Sequence, residues 1–290
     1  MIKLLIFGSK GWIGNQFVDY LKSNDTNIDF LETDVRADNE EEVEKVILNY
    51  NPTNIISFIG RTYGNGINSI DYLEQKGMLK YNVRDNLFAP MVLASLSNKY
   101  NIHYIYLGTG CIFNQNNPLD KSYKEEDKAD FFGSSYSTVK GFTDRLIRMY
   151  PNTLNLRIRM PIVDYKHPRN FITKITEYYK ITSMPNSMTI LKDFYPIMVD
   201  LIKRKEVGTL NLVNPNVITH NEILEMYKEI VDPTFKWENF TIEEQNQVLK
   251  SERSNNQMDT AKLISLYPTV PDIKTGVRNC LLEMKRRMDN

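Results

Sequence analysis

The chain has 290 residues, enough for a large α/β unit or for a nucleotide-binding domain with a smaller second domain. Its 36 Lys and Arg balance 36 Asp and Glu, so the net charge argues against a nucleic acid or an anionic membrane as partner. The apolar run at residues 1–7 is too short for a secretion signal or a membrane span, and we expect a cytoplasmic protein. Cys111 and Cys280 are then expected to be reduced thiols.

The first 160 residues predict alternating strands and helices. Apolar runs at 3–7, 30–31, 54–59, 103–107 and 154–160 are typical of buried strands, and helical spacing of apolar residues marks 13–21, 43–47, 82–100 and 136–149. Such alternation is typical of an α/β fold, a Rossmann-type doubly wound parallel sheet with right-handed crossovers.

The pattern changes after Pro161. Residues 164–188 are rich in Pro, Asn and Lys and predict an irregular excursion, a common place for substrate loops. A helix at 191–205 and a strand at 208–213 return to the sheet, and Thr219 with Glu222 forms a capping-box pattern that begins a C-terminal helix. We therefore predict a Rossmann domain at 1–163 plus 189–213 and a smaller, discontinuous α+β domain at 164–188 plus 214–290.

A glycine-rich turn follows the first strand with the spacing G-x-x-G-x-x-G. Between a strand and a helix, such a turn lets backbone approach a dinucleotide pyrophosphate at the helix N-terminus. A turn without a ligand is the alternative. The candidate cofactor-binding residues are Gly8, Ser9, Lys10, Gly11, Trp12, Ile13 and Gly14.

The preferred nicotinamide cofactor depends on charges beside the adenosine ribose. Lys10 in this geometry could meet a 2′-phosphate, which favours NADPH, although an ordinary solvated lysine explains it nearly as well. A ribose-binding carboxylate would favour NADH, and Asp29, Glu32 and Asp34 all lie near the end of the second strand. We expect NADPH, with NADH as the alternative.

Tyr136 and Lys140 are four residues apart and share one face of a predicted helix. A neighbouring cation would lower the pKa of the phenol and make it a proton donor and acceptor near neutral pH. Thr109, just after the fourth strand, would place a hydroxyl on the same substrate oxygen. Together the three residues predict a proton-transfer site.

With these residues the chain resembles the extended short-chain dehydrogenase/reductases, and Asn82 matches their helix asparagine. Within that group it is similar to the UDP-4-keto-6-deoxyglucose 3,5-epimerase/4-reductases over almost its whole length. The matching segments are 11–14, 109–113, 124–127, 168–174, 185–191, 220–227 and 253–256. One departure is Ser57-Phe58-Ile59-Gly60, where the family usually has Asn-Ala-Ala-Gly; this loop, with Gly60, should face the cofactor.

The resemblance implies epimerisation at C3 and C5 of UDP-4-keto-6-deoxy-D-glucose and NADPH-dependent reduction at C4, giving UDP-β-L-rhamnose. Thr109, Tyr136 and Lys140 would form the reductase triad. Cys111 would act as the epimerase base, with a buried hydrophobic cysteine as the alternative. Lys174 would be the acid on the opposite face, and His167 is its rival.

The second domain should bind the nucleotide sugar. The resemblance implies substrate-binding roles for Asn82, Arg169, Asn170, Asn186 and Arg253, although surface arginines are common. Trp237 and Phe240 are stacking candidates that core packing explains equally well. A separate UDP-glucose 4,6-dehydratase would supply the substrate, and no metal site is predicted. The sequence does not fix the oligomeric state; relatives often form a homodimer through the helix that carries Tyr136.

Two other functions fit parts of the pattern. A 4-reductase similar to dTDP-4-dehydrorhamnose reductase would leave epimerisation to another protein, but Cys111 and Lys174 argue against it. A non-catalytic regulatory subunit would keep the fold and a bound nucleotide. It would not need Thr109, Tyr136 and Lys140 together.

Overall fold

The computed structural model describes residues 1–114 and 122–289. Its strands are β1 (Ile2–Phe7), β2 (Ile28–Thr33), β3 (Asn54–Ser57), β4 (His103–Thr109), β5 (Ser122–Tyr123), β6 (Thr153–Ile158), β7 (Pro161–Ile162), β8 (Lys180–Ile181), β9 (Thr189–Ile190), β10 (Gly208–Asn211), β11 (Glu238–Asn239) and β12 (Gln257–Met258). Its α-helices are α1 (Trp12–Ser23), α2 (Glu40–Tyr50), α3 (Leu79–Val83), α4 (Ala89–Lys99), α5 (Ser135–Ile147), α6 (Phe171–Glu177), α7 (Leu191–Arg204), α8 (His220–Ile230), α9 (Ile242–Val248), α10 (Ala261–Leu266) and α11 (Ile273–Asp289). A 3-10 helix covers Ile70–Glu74, and a π-helical turn at Arg84–Phe88 joins α3 to α4.

The central sheet has six parallel strands in the order β2-β1-β3-β4-β6-β10. The chain runs from β1 to β2 on one side and then returns to place β3 on the other side of β1. This change of direction creates a crevice at the carboxyl ends of β1 and β3, where open α/β sheets bind ligands. The predicted doubly wound parallel sheet is confirmed.

Both faces of the sheet are buried, which explains the unbroken apolar runs in its strands. On β1, Leu4 and Ile6 join one core with α1 and α7, whereas Leu5 and Phe7 join a second core with α2 and α4. Alternate side chains of a strand point to opposite faces, so one short apolar run contributes residues to the cores on both sides of the sheet.

A separate apolar cluster joins α6, α8 and α11 with the short pair β7–β9. The capping box of α8 is present: the side chain of Thr219 accepts from the backbone of Glu222, and the Glu222 carboxylate accepts from the backbone of Thr219. The predicted strand at 208–213 returns to the sheet as β10, beside β6. The proposed division into two domains stays a prediction.

The expectation of an irregular segment at 164–188 was wrong in part, because α6 and β8 lie within it. The Asn170 side chain caps α6 by accepting from the backbone of Ile172, and Ile172 and Ile175 bury its inner face. A helix of seven residues has too few apolar positions to show a period among polar neighbours. Among the described residues, the helices lack the length and apolarity that a bilayer crossing requires.

Candidate active site

The glycine-rich turn joins β1 to α1 at the crevice. Gly8 adopts a φ of +75°, which favours glycine, and its carbonyl accepts a hydrogen bond from the backbone of Gly11 at 3.0 Å. A Cβ on Gly14 would stand 2.3 Å from the Gly8 carbonyl oxygen. The α1 N-terminus has no side-chain cap, so its backbone N–H groups are suited to an anion.

The loop after β3 forms the opposite wall of the crevice. The backbone of Arg61 donates to Asn86 Oδ1 at 3.0 Å, and Asn86 Nδ2 donates back to the Arg61 carbonyl at 2.9 Å. Asn86 is fully buried on the π-helical turn, a position that sequence motifs did not identify. A Cβ on Gly60 would meet Asn86 at an ordinary 3.5 Å, so steric constraint does not explain this glycine.

Lys10 and Asp34 form an exposed ion pair, with Nζ and Oδ2 2.6 Å apart. In the sequence, Lys10 favours NADPH and Asp34 favours NADH, because either side chain alone could lie beside the adenosine ribose. The fold places them together at the rim of the glycine-rich turn. Lys10 therefore shares its charge with a carboxylate, and any 2′-phosphate would compete with Asp34.

The structure brings Thr109, Cys111 and Tyr136 together. Thr109 ends β4, Tyr136 lies in the first turn of α5, and both are buried. Burial and the neighbouring Cys111 raise the pKa of Tyr136, whereas a hydrogen bond with Thr109 lowers it. The backbone of Cys111 donates to Thr109 Oγ1 at 3.1 Å, which holds this half-buried thiol beside the hydroxyl pair.

Lys140 lies on α5 with Tyr136, but the tyrosine that it contacts is Tyr106. Its Nζ donates to the hydroxyl of Tyr106 and, at 3.4 Å, to the carbonyl of Leu107. The expectation that Lys140 lowers the pKa of Tyr136 was therefore wrong for this arrangement. Burial lowers the pKa of Lys140 itself to about 7, against the opposing effects of Asp144 and Cys111.

Cationic side chains of the second predicted domain surround Lys174. Burial, then the charges of Arg169 and Arg253, lower the pKa of Lys174. Burial and Lys174 lower the pKa of His167, whose ring stacks on Trp12 with centroids 5.1 Å apart. Lys174 and His167, the two rivals for the second acid, thus lie near each other and near the glycine-rich turn.

Two predicted substrate-binding arginines have partners within the chain. The guanidinium carbon of Arg169 lies 3.7 Å from the centroid of the Tyr63 ring. Arg253 forms an ion pair with Asp71 and also donates to Ser251. Both arginines remain half-buried rather than enclosed, so they can still meet a diphosphate.

Three predicted substrate-binding amides have no exposed surface and bind the protein instead. Asn170 caps α6, Asn186 accepts from Arg159 at 2.6 Å, and Asn82 accepts from Asn86 at 2.8 Å. In this arrangement their amide groups already serve internal hydrogen bonds, and substrate binding by these three residues stays a prediction. They position the elements that carry the site.

Arg159 is a site residue that the sequence motifs missed. It is 1% exposed, and it donates to the carbonyl of Gly110 at 3.2 Å, to Ser254 Oγ at 3.1 Å and to Asn186. Within residues 1–114 and 122–289 no carboxylate forms an ion pair with it, so a buried guanidinium stands at the Gly110 carbonyl, next to Cys111, without a counter-charge. Burial lowers the pKa of Arg159, and Cys111 raises it. The sequence contains one signal for such a residue: Arg157 and Arg159 both lie in the apolar run at 154–160, where a buried strand is predicted.

The aromatic candidates Trp237 and Phe240 have structural partners. Trp237 packs on Phe235 with centroids 6.0 Å apart and donates to Asn221 at 2.9 Å. Phe240 lies 5.7 Å below the ammonium of Lys180. These contacts favour packing over base stacking.

Comparison with known proteins places this geometry in a family. Residues 2–196 match the model described as the RmlD substrate binding domain. The chain belongs to this family. Protein L780 of Acanthamoeba polyphaga mimivirus is 51% identical over 98% of this chain and 99% of its own length. Its crystal structure, described as a UDP-rhamnose synthase, matches with a TM-score of 0.94 at 50% identity over 98% of this chain and 99% of that one.

Two further proteins extend the comparison. A bifunctional dTDP-4-dehydrorhamnose 3,5-epimerase/reductase of Arabidopsis thaliana is 36% identical, covering 98% of this chain and 94% of its own. A dTDP-4-dehydrorhamnose reductase of Bacillus anthracis, solved with NADP, has a TM-score of 0.80 at 16% identity and shares the fold over 98% of this chain and 99% of its own. The relatives confirm the family resemblance, the fold class and the prediction of an enzyme that combines epimerase and reductase functions.

Proposed function

We propose that this protein converts UDP-4-keto-6-deoxy-D-glucose to UDP-β-L-rhamnose by epimerisation at C3 and C5 and NADPH-dependent reduction of the C4 ketone. The observation that carries the proposal is the meeting of Cys111 with Thr109 and Tyr136 at the carboxyl end of β4. A reductase alone needs the hydroxyl pair, whereas a thiol beside it supplies a base for carbon acids. The names of the relatives combine the same two activities.

The crevice fits a dinucleotide. The glycine-rich turn leaves no room for a Cβ at Gly14, and the uncapped N-terminus of α1 presents backbone N–H groups to a pyrophosphate. When bound, NADPH supplies the hydride for C4. Residues 8–14, Gly60, Tyr136 and Lys140 would hold it, within a cofactor domain at 1–163 plus 189–213.

The epimerisation chemistry uses groups on both sides of the sugar. A C4 ketone acidifies the hydrogens at C3 and C5, so the Cys111 thiolate can remove each as a proton. Thr109 and Tyr136 donate hydrogen bonds to the C4 oxygen and stabilise the enolate. Lys174 returns a proton from the opposite face, which inverts the centre; its lowered pKa makes the ammonium a better acid, and His167 is the alternative.

The reduction uses the same hydroxyl pair. Tyr136 gives its proton to the C4 oxygen as the carbon is reduced, while Thr109 keeps that oxygen in place. Burial favours the protonated phenol, which is the form that a proton donor requires. Lys140, one helical turn further along α5, supplies a positive charge to the site from its hydrogen bonds to β4.

The nucleotide end of the substrate belongs to residues 164–188 plus 214–290. Arg169 and Arg253 would bind the diphosphate, since guanidinium groups form paired hydrogen bonds with phosphate oxygens. A separate UDP-glucose 4,6-dehydratase supplies the keto sugar, and the protein works in the cytoplasm as a homodimer.

Replacing Cys111 tests whether one protein performs both steps. Cys111→Ala in deuterated buffer should lose exchange of deuterium into C3 and C5 by at least about 100-fold, because the carbon base is gone. The same variant should still reduce the already epimerised 4-keto-L-rhamnose nucleotide within about tenfold of the parent rate. NMR of the sugar and NADPH absorbance measure the two rates.

Cys280→Ala is the matched control, since this second thiol is buried in α11 within the apolar cluster of the second domain. It should preserve both activities at a temperature where it stays folded. Full deuterium exchange by Cys111→Ala would show that the thiol only packs, and a plain 4-reductase or another base would then explain the site.

A further inference from the structure

Tyr106 lies against the ammonium group of Lys140. It is on β4, three residues before Thr109, and its side chain is 1% exposed. Lys140 Nζ lies 4.4 Å from the ring centroid of Tyr106 and donates a hydrogen bond to its hydroxyl oxygen. The ammonium therefore lies beside the hydroxyl edge of the ring, where the phenol oxygen is its acceptor.

The other groups around Lys140 come from three elements. On β4, the Leu107 carbonyl accepts at 3.4 Å. On α5, Asp144 follows one turn later, but Arg157 of β6 binds both of its carboxylate oxygens at 2.8 Å. Cys111 acts from the loop after β4. Together Asp144 and Cys111 raise the pKa of Lys140, yet burial outweighs them and lowers it to about 7.

Tyr106 itself remains a neutral phenol. Burial raises its pKa well above the ordinary range, and Tyr136, Tyr104 and Asp144 raise it further. Because the phenol keeps its proton, its oxygen stabilises Lys140 as a hydrogen-bond acceptor rather than as an anion. An ammonium has three N–H groups, and two of them are directed to β4.

We propose that Tyr106 is a positioning residue for Lys140: its hydroxyl oxygen holds the ammonium at β4 and stabilises the charged form. The reductase role of this contact rests on the proposed function, in which Lys140 supports Tyr136. Tyr106 acts through Lys140, because its own side chain has almost no exposed surface. Without this acceptor, the buried ammonium would lose its proton at a still lower pH.

Tyr106→Phe removes only the hydroxyl oxygen and keeps the ring. In protein labelled with [13C]lysine, with the Lys140 signal assigned from Lys140→Met, the midpoint of the Lys140 titration should fall by about one pH unit or more, since a hydrogen bond to a charged group is lost. This NMR measurement needs neither sugar nor cofactor. It therefore tests the contact even if the proposed reaction is wrong.

The pH profile of reduction gives the second readout. The charged form of Lys140 exists below its pKa, so the rate should fall as the pH rises through that value. A midpoint lowered by one unit from about 7 makes Tyr106→Phe about tenfold slower at pH 8 but only about twofold slower at pH 6. A general packing defect would slow both alike.

Tyr104→Phe is the matched control, because Tyr104 is a fully buried phenol two residues earlier on the same strand. It should leave the Lys140 midpoint and the pH profile unchanged. An unchanged midpoint in Tyr106→Phe, or equal shifts in both variants, would overturn the inference. Absence of ketone reduction by the parent would instead refute the proposed function and leave the NMR comparison to decide on Tyr106.

Discussion

At the scale of single residues, the site contains several cations whose pKa burial lowers. Lys140 and Arg159 are both buried, and Cys111 raises the pKa of each. Lys174 is another cation whose pKa burial lowers. Removing a charge from water is costly, so cations with lowered pKa at one cleft indicate chemistry rather than stabilisation of the fold.

Lys174 and His167 can be separated by the stereochemistry of exchange. Lys174→Met removes the proposed acid but leaves Cys111, so deuterium should still enter C3 or C5 with retained configuration, while the epimerised product falls by at least about 100-fold. His167→Gln should keep inversion within about tenfold of the parent, as its ring stacks on Trp12. Chiral analysis of the labelled sugar by NMR measures both.

The opposite result would reverse the assignment. If His167→Gln loses inversion while Lys174→Met keeps it, His167 is the acid and Lys174 serves the diphosphate with Arg169.

At the scale of elements, the turn between β1 and α1 depends on backbone packing. Gly14 lies in the first turn of α1, directly against the Gly8 carbonyl, and Gly8 in turn lies close to the backbone of Phe58 and Ile59 after β3. The first strand, the first helix and the loop after β3 thus meet with backbone in contact. A side chain at this point would separate all three.

Gly14→Ala should therefore disturb the turn itself. With Cβ placed 2.3 Å from a carbonyl oxygen, the backbone must move, and we expect the free energy of unfolding to fall by about 1–3 kcal/mol. NADPH binding, measured by fluorescence, should weaken by at least about tenfold because the amides lose their alignment.

Gly60→Ala is the control for this prediction, since its Cβ would meet Asn86 at an ordinary distance. Chemical denaturation should show a stability within about 0.5 kcal/mol of the parent. A Gly14→Ala protein with full stability and full NADPH affinity would contradict the role of close packing in the turn.

At the scale of the whole molecule, ionisable groups make the fold sensitive to acid. All three histidines have a lowered pKa, with burial as the main cause: His103, His167 and His220. For His220 the value is about 4, and its Nδ1 accepts a hydrogen bond from the backbone of Met184. Protonation of Nδ1 would remove the acceptor for the Met184 N–H and place a positive charge on a buried imidazole ring.

The direction of the pH dependence follows from proton counts. Between the ordinary histidine pKa of 6.5 and about 4, the unfolded chain binds a proton at His220 that the folded chain does not. Stability should therefore fall as the pH decreases through this window, by up to about 2 kcal/mol from His220 between pH 7 and pH 5. Denaturation curves at a series of pH values measure it.

His220→Gln tests the assignment, because an amide oxygen can replace the ring nitrogen as acceptor without titrating. The variant should show a smaller loss of stability between pH 7 and pH 5 than the parent. An identical pH dependence would assign the acid sensitivity to the other two histidines, His103 and His167, whose pKa values burial also lowers from 6.5.

Local sequence was sufficient for the parts of the molecule whose causes lie within a few residues. The glycine spacing at 8–14, the alternation of strands and helices and the Thr219–Glu222 capping box all depend on near neighbours, and each is present. The sequence predicts an irregular segment where α6 lies. The burial of Ile172 and Ile175, which stabilises this helix, depends on α8 and α11, which are distant in the sequence.

Tertiary structure alone decided which side chains meet in the site. Tyr106 and Lys140 are 34 residues apart, and Arg159 and Ser254 are 95 residues apart, so no short-range pattern in the sequence predicts either contact. The resemblance implies substrate contacts for Asn82, Asn170 and Asn186, and the fold buries all three among internal hydrogen-bond partners. The sequence by itself determined most of the sheet and its helices, the family and the chemistry-bearing residue types. Burial and partner choice came from the fold, because hydrogen bonds and pKa values depend on what surrounds a group in space.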